Sequence, residues 1–312
     1  MISLVNNRNN LDPFTNLAIE DYLLKYSDKT FLFIYINSPS VVIGRNQNLY
    51  EEVNLKFALK NSIRIVRRIS GGGAVYHDKG NLSYSLISRY DPKFYNNYKE
   101  FSAPAINTLR KLYLDAKLND RNDVIIGNKK ISGNAQFTSR KRMITHGTLL
   151  FNADLSALRN SLDVDQSEYI SKSTKSNRSS VTNIFEELNE KITLENFRNL
   201  LIKEFSSVYG GLETYEFSDS DWEKIKNSSE TRFKSWEWVY ERNPKFKINR
   251  ERIIKEKKYQ LSLSVNKGII EEIQINSENE SLHEIENRLL GKKYSYNQIE
   301  KLGLPQISGL LF

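Results

Sequence analysis

Hydrophobic and polar positions alternate along this chain in patterns that predict most of its elements. Across residues 14–26, Leu17, Ile19, Tyr22, Leu23 and Tyr26 recur with mostly helical spacing. Phe31 to Ile36 and Val41 to Ile43 are short β-rich runs, parted by the hairpin-like break Asn37-Ser38-Pro39-Ser40. Ile63 to Ile69 predicts a further strand, followed by Gly71-Gly72-Gly73. Ala74 to His77 and Leu82 to Ile87 predict two more, joined by a polar turn at Asp78-Lys79-Gly80-Asn81. Ala103 to Leu114 is helical in pattern, Val124 to Phe151 is a second β-rich block, and Ile192 to Tyr209 predicts a helix capped by Thr193.

The texture changes after a stretch from about 210 to 245 that holds all three tryptophans and ends in Asn243-Pro244. Leu261, Leu263 and Val265 alternate with Ser262 and Ser264, and Asn266-Lys267-Gly268 turns the chain into Ile269 to Ile275, a hairpin. Leu282 to Leu290 and Tyr296 to Leu302 predict short helices. The expected organisation is a large domain over 1–244 and a small α+β domain over 245–312. Residues 171–182 are serine-rich and predict a loop.

Composition narrows the chemistry. There is no cysteine, so disulfides, thiolate zinc sites and a cysteine thioester are excluded, and three histidines leave little room for a histidine-rich metal cluster. No apolar run reaches membrane-spanning length, and the N-terminus lacks the pattern of a secretion signal, so a cytoplasmic location is expected. The formal charge of +8 comes from lysines spread among acids, and no nucleic-acid recognition motif accompanies it. Attraction to an acidic protein or an anionic nucleotide is compatible with such a charge.

Three segments carry candidate chemistry. In Arg67-Arg68-Ile69-Ser70-Gly71-Gly72-Gly73-Ala74-Val75-Tyr76-His77, consecutive glycines let the backbone approach a ligand, and successive N–H groups can surround phosphate or carboxylate oxygens. The paired arginines would add forked donors for the same anion. The segment matches neither a Walker A loop nor Gly-x-Gly-x-x-Gly. In the second segment, Asp123 to Gln136, either Lys129 or Lys130 faces inward, because neighbours on a strand face opposite sides. The third, Thr145 to Phe151, holds His146, a ligand contact or a half-buried strand histidine.

As a set, these segments resemble the lipoate–protein ligase family in order and spacing. The resemblance rests also on Phe14-Thr15-Asn16-Leu17-Ala18-Ile19-Glu20-Asp21 and Val42-Ile43-Gly44-Arg45-Asn46-Gln47-Asn48. It covers roughly residues 1–240, with the tail similar to the family's accessory domain. It implies an α/β catalytic domain built around a mixed sheet, as in biotin–protein ligases. By matching position it implies that Arg68, Gly73, Ala74, Val75 and Tyr76 bind ATP and the acyl-adenylate, with Ser70, Gly71, Gly72 and His77 in the same loop. Lys130, directly before Ile-Ser-Gly, would contact both lipoate and nucleotide. Asn81, Asp123 and His146 would be secondary contacts, and Leu17, Val42 and Phe151 would line an apolar tunnel.

The implied reaction joins lipoate to ATP with Mg²⁺, giving lipoyl-AMP and pyrophosphate, then passes the lipoyl group to a lysine. The implied acceptors are the glycine-cleavage H protein or lipoyl domains of 2-oxoacid dehydrogenases, with the enzyme a monomer whose small domain swings between the two steps. A biotin–protein ligase and a non-catalytic lipoate-binding paralogue are the alternatives. Lys172 to Asn183 departs from the family pattern, with Ser173 and Ser180 where glycine and arginine are common.

Overall fold

The computed structural model describes residues 2–139, 141–277, 281–302 and 305–312. Its centre is a six-stranded mixed sheet in the order Asn134–Thr138, Arg142–Leu150, Asn81–Arg89, Phe31–Tyr35, Ile2–Val5, Leu212–Tyr215. The first four strands pair antiparallel, and the last two joins are parallel. One face is covered by helices Tyr98–Lys111 and Leu194–Val208, which bury Phe101, Leu109, Phe197 and Phe205 against Leu32, Leu82 and Tyr84. Helix Pro13–Tyr26 packs on the other face. It opens on Asp12, whose carboxylate accepts from the Thr15 amide at 3.0 Å, with Pro13 in the first turn. Burial on nearly every side as far as Leu24 explains why its apolar spacing is only partly periodic: Asn16, Glu20 and Asp21 are buried as well.

A three-stranded sheet places Ser40–Ile43 between Arg64–Arg67, parallel, and Val75–His77, antiparallel. Its last crossing is the glycine segment. A second small sheet, Ala116–Leu118, Val124–Ile126 and Lys129–Ser132, is antiparallel throughout. The helix expected over 103–114 starts earlier, at Tyr98, because Asn97 caps it by accepting from the Glu100 amide, and it ends at Lys111. The Thr193 cap is present, its hydroxyl accepting from the Asn196 amide at 3.1 Å.

The tryptophan-rich stretch, left without elements by its sequence pattern, is helical beyond the edge strand Leu212–Tyr215. Asp219–Ser228 carries a capping box between Ser218 and Asp221 and runs on into π-helical turns at Ser229–Phe233 and Glu237–Glu241. Beyond it, Phe246–Ile254, Lys257–Asn266 and Ile269–Ser277 form an antiparallel meander, followed by helices His283–Leu289, Tyr296–Lys301 and Pro305–Leu311. Lys267 and Gly268 both take positive φ at the hairpin turn, as two-residue hairpins require. The sheet's outer strand, however, is Tyr169–Ser171, contributed from far upstream. Tyr50 fastens this sheet to the centre, its ring against Phe246 and Tyr294 and its hydroxyl donating to the Tyr294 carbonyl.

Candidate functional site

The glycine segment is shaped by close backbone approach. Gly72 sits at φ +87, where a side chain is strained. A Cβ at Gly44 would lie 2.1 Å from the Gly72 carbonyl oxygen. The two segments are also laced by Arg45 N–H to Ser70 O at 2.8 Å and Arg68 N–H to Ile43 O at 3.0 Å. Gly44→Ala is therefore expected to destabilise the fold by about 2 kcal/mol through overpacking. A thermal midpoint unchanged to within about 1 °C would contradict this close packing.

The two arginines diverge, because successive residues of extended backbone face opposite sides. Arg67 turns away from the cavity. Its guanidinium donates to the carbonyls of Gly44 (3.1 Å), Gln47 (2.7 Å) and Val239 (2.8 Å) and to the Asn243 side chain. Trp238 Nε1 donates to the Arg67 carbonyl at 2.7 Å. Burial pulls the Arg67 pKa down to about 9, still charged at neutral pH. The expectation that both arginines hold one anion is thus corrected. Arg68 does reach the cavity wall, yet its donors bind Val42 O (3.0 Å), Ser70 Oγ (3.0 Å), Gly71 O (2.6 Å) and Gly73 O (2.8 Å), so it moulds the loop from within.

Behind Arg68 runs a buried polar chain that the sequence reading missed. Ser70 Oγ lies 2.6 Å from His146 Nε2, and His146 Nδ1 lies 3.3 Å from both Glu20 oxygens. Tyr35 and Ser85 hydroxyls also donate to Glu20. A guanidinium can only donate, so Ser70 accepts from Arg68; a carboxylate can only accept, so a neutral His146 ring carries its proton on Nδ1 and accepts the Ser70 hydroxyl's hydrogen bond at Nε2. His77 is fixed similarly: Asn16 Nδ2 donates to Asn37 Oδ1 at 2.8 Å, and Asn37 Nδ2 meets His77 Nδ1 at 2.9 Å. That leaves the proton on Nε2, which is buried without a partner, in a residue that lines the cavity. Burial, with Arg68 and His146 nearby, lowers the His77 pKa to about 3, so it is neutral. The sign that could have found Glu20 is a carboxylate set among apolar helix positions Leu17, Ile19 and Leu23.

Lys129 and Lys130 separate as strand alternation predicts. Lys129 is exposed, 3.6 Å from Glu187, whereas Lys130 enters the cavity with its Nζ 2.8 Å from Asp123 Oδ1. Gly133 leaves room for it: a Cβ there would stand 3.1 Å from Nζ.

The cavity has two lobes that share Ala74, Val75, Lys130, Gly133, Thr148, Ser176 and Asn177. One, of about 270 Å³, has apolar wall from Leu17, Val42, Val75 and Ala135 and polar wall from Tyr35, Asn37, His77 and His146. The other, of about 540 Å³, holds Tyr76, Leu150 and Leu158 with Glu52, Arg159 and Arg178. Segment 174–181 lies across both lobes. Ser176 Oγ accepts from the Ala74 amide at 2.8 Å and from Gln47 at 3.0 Å, while its own amide donates to Glu52 at 3.0 Å. The serine-rich stretch is thus a strap pinned over the junction.

Gly72 and Gly73 line the first lobe, and Ser70 supports the loop from behind. Gly71 takes part through its carbonyl. Asn81 lies outside both walls, 3.4 Å from Ser83, a residue of the first lobe. Phe151 is corrected: its ring packs on Phe185 and Phe197, because Leu149 and Phe151 share the sheet face under the helices. Among the described residues, no group of three or more His, Asp or Glu side chains could hold a metal ion, and no helix is long and apolar enough to cross a membrane.

Comparison with known proteins accounts for this arrangement. Residues 12–206 match the lipoyl protein ligase A/B catalytic domain, and residues 243–305 match the bacterial lipoate protein ligase C-terminus. The chain is 41% identical over 302 residues to lipoate-protein ligase LplJ of Bacillus subtilis, covering 95% of this chain and 91% of that protein. Its fold is similar to a bi-partite lipoate protein ligase of Thermoplasma acidophilum studied with its E2 lipoyl domain, at TM-score 0.65 and 27% identity over 76% of this chain and 95% of that one. A lipoate-protein ligase A bound with ATP is equally similar, at TM-score 0.65 and 27% identity over 77% and 98%. With a catalytic-domain match over more than half its length and a relative this similar along nearly all of it, the chain belongs to the lipoate–protein ligase family.

Proposed function

We propose that the chain activates lipoate with ATP and passes the lipoyl group to a lysine on an acceptor protein. The observation that carries this reading is the pair of lobes meeting at Lys130. In it, the smaller lobe takes the acyl chain and the larger takes the nucleotide. The lipoate carboxylate attacks the α-phosphorus, the α–β phosphate bond breaks, and pyrophosphate leaves. Lys130 and the loop N–H groups, beginning with Ala74, offset the negative charge that grows at this junction. The acceptor amine then attacks the acyl carbon, losing a proton as AMP departs.

Such chemistry needs alignment and exclusion of water more than a covalent catalyst. The strap and the apolar wall would provide the exclusion. Ser176 must give up the Ala74 amide if the adenylate is to use it, so strap movement belongs to this reading. Asp123 is the carboxylate beside Lys130, and Mg²⁺ held there would depend mainly on nucleotide phosphates and supply charge neutralisation. The enzyme would act as a monomer. The acceptor would be a lipoyl domain or the glycine-cleavage H protein, met in the cytoplasm where ATP is available. Residues 1–244 would then form the catalytic part and 245–312 the accessory part.

The test is acceptor mass after incubation with lipoate, ATP and Mg²⁺, offering H protein and a lipoyl domain separately. A lipoyl-sized gain that requires ATP is expected, with lipoate-dependent pyrophosphate release. Absence of pyrophosphate would overturn the reading in favour of a binding protein.

A further inference from the structure

Apart from the two lobes, the chain has a third concavity of about 760 Å³ that the proposed chemistry does not use. It lies between the end of helix Pro13–Tyr26, residues Ser139 and Lys141, and the π-helical turns that carry Trp238. Its walls are dominated by cations. Lys25 and Arg232 share Asp21, at 2.6 and 2.7 Å. Among the described residues, no carboxylate comes within ion-pair distance of the other wall cations Arg45, Lys141, Arg142 and Arg242. Arg142 is only 5% exposed, and two of its guanidinium nitrogens have no hydrogen-bond partner. The remaining aspartate, Asp28, acts on Arg142 and supplies one negative charge against these four cations.

The cations are also held in place. Arg232 and Arg242 lie over the Trp238 ring, at 4.2 and 4.5 Å from its centre, and Arg45 lies 5.9 Å from that of Phe137. Burial lowers the Arg242 pKa, and Arg45 and Arg232 lower it further, as expected where like charges converge.

This cleft adjoins the reaction site. Ile69 and Arg45, which line it, flank the backbone bond from Arg45 to Ser70 at the root of the glycine loop. Phe137 stands two residues beyond Ala135 on one strand face; Ala135 lines the acyl lobe. The cationic surface therefore reaches the root of the loop that would hold the adenylate.

We propose that this cleft docks the acceptor protein, its cations receiving carboxylates that flank the acceptor's target lysine. The inference rests on the functional reading above, since that reaction brings a protein to this loop. Cations spread along a cleft with aromatic walls fit several separated carboxylates better than one compact anion, and they steer association more than they hold the complex.

The test compares wild type with Lys141→Glu, Arg242→Glu and the double variant. Lipoate-dependent pyrophosphate release is expected to stay within about twofold of wild type, showing that fold and adenylation are intact. The KM for the acceptor is expected to rise roughly tenfold in the double variant, with kcat little changed. Added salt should raise the wild-type KM and leave that of the double variant nearly flat. An acceptor whose flanking carboxylates are replaced by lysine should recover with Arg242→Glu. Unchanged acceptor KM and salt dependence would overturn the proposal, even if the variants bound an oligonucleotide more weakly. A wild-type chain that released pyrophosphate but lipoylated no acceptor would overturn the functional reading, and the docking proposal with it.

Discussion

Lys130→Ala is expected to slow lipoate-dependent pyrophosphate release by two to three orders of magnitude, about 3–4 kcal/mol of transition-state stabilisation. The ammonium stands where both lobes meet, and Asp123 and the gap left by Gly133 fix its direction. Water entering the space could not reproduce a fixed charge at that point. Lys129→Ala removes an equal charge one residue away and should leave the rate almost unchanged, because that side chain faces Glu187 outside the cavity. Lys130→Arg should also be slow, since the planar group is wider than an ammonium and Gly133 leaves little slack. Initial rates of pyrophosphate release across the three variants check the assignment, and a fast Lys130→Ala enzyme would sink it.

Arg67→Met is expected to have the largest effect on stability, roughly 3–5 kcal/mol, although this arginine touches neither lobe. Its guanidinium is the shared donor for carbonyls from the Gly44–Gln47 turn and for Val239 and Asn243, just before strand Phe246–Ile254. Methionine fills much of the volume but leaves these acceptors buried without donors, each costing on the order of 1–3 kcal/mol. Thermal unfolding should show a midpoint lower by roughly 10 °C. A shift of only a degree or two would mean that the carbonyls find other donors, and that Arg67 is not the joint between these segments.

Much of the architecture was legible where a local pattern had one physical solution. Phe31 to Ile36, Leu82 to Ile87 and the hairpin after Leu261 are continuous or alternating apolar runs bounded by turn residues, and all became strands. Thr193 became a cap because its hydroxyl had an amide three residues away to satisfy. Long-range partners were not legible. Nothing near Tyr169 announces that it pairs with Ile248, and nothing near Arg67 announces Val239. The π-helical turns escaped because their apolar spacing fits neither a 3.6-residue nor a two-residue period. In the site, strand geometry put one of Lys129 and Lys130 inward, and the family resemblance chose Lys130, the one that enters the cavity. Glu20 and the strap contacts of Ser176 were not, since their partners lie far away in sequence.

The borrowed strand Tyr169–Ser171 leads directly into the strap, whose Thr174 amide donates to the Asn46 carbonyl at 3.2 Å. The tether from Ser171 to Thr174 is three residues long and reaches at most roughly 10 Å when fully drawn out. The C-terminal sheet and the strap over the junction of the two lobes are therefore geared together. If the sheet travels farther than that slack, either the strand leaves its ladder with Phe246–Ile254 or the strap lifts from Asn46, and lifting it uncovers the junction from above.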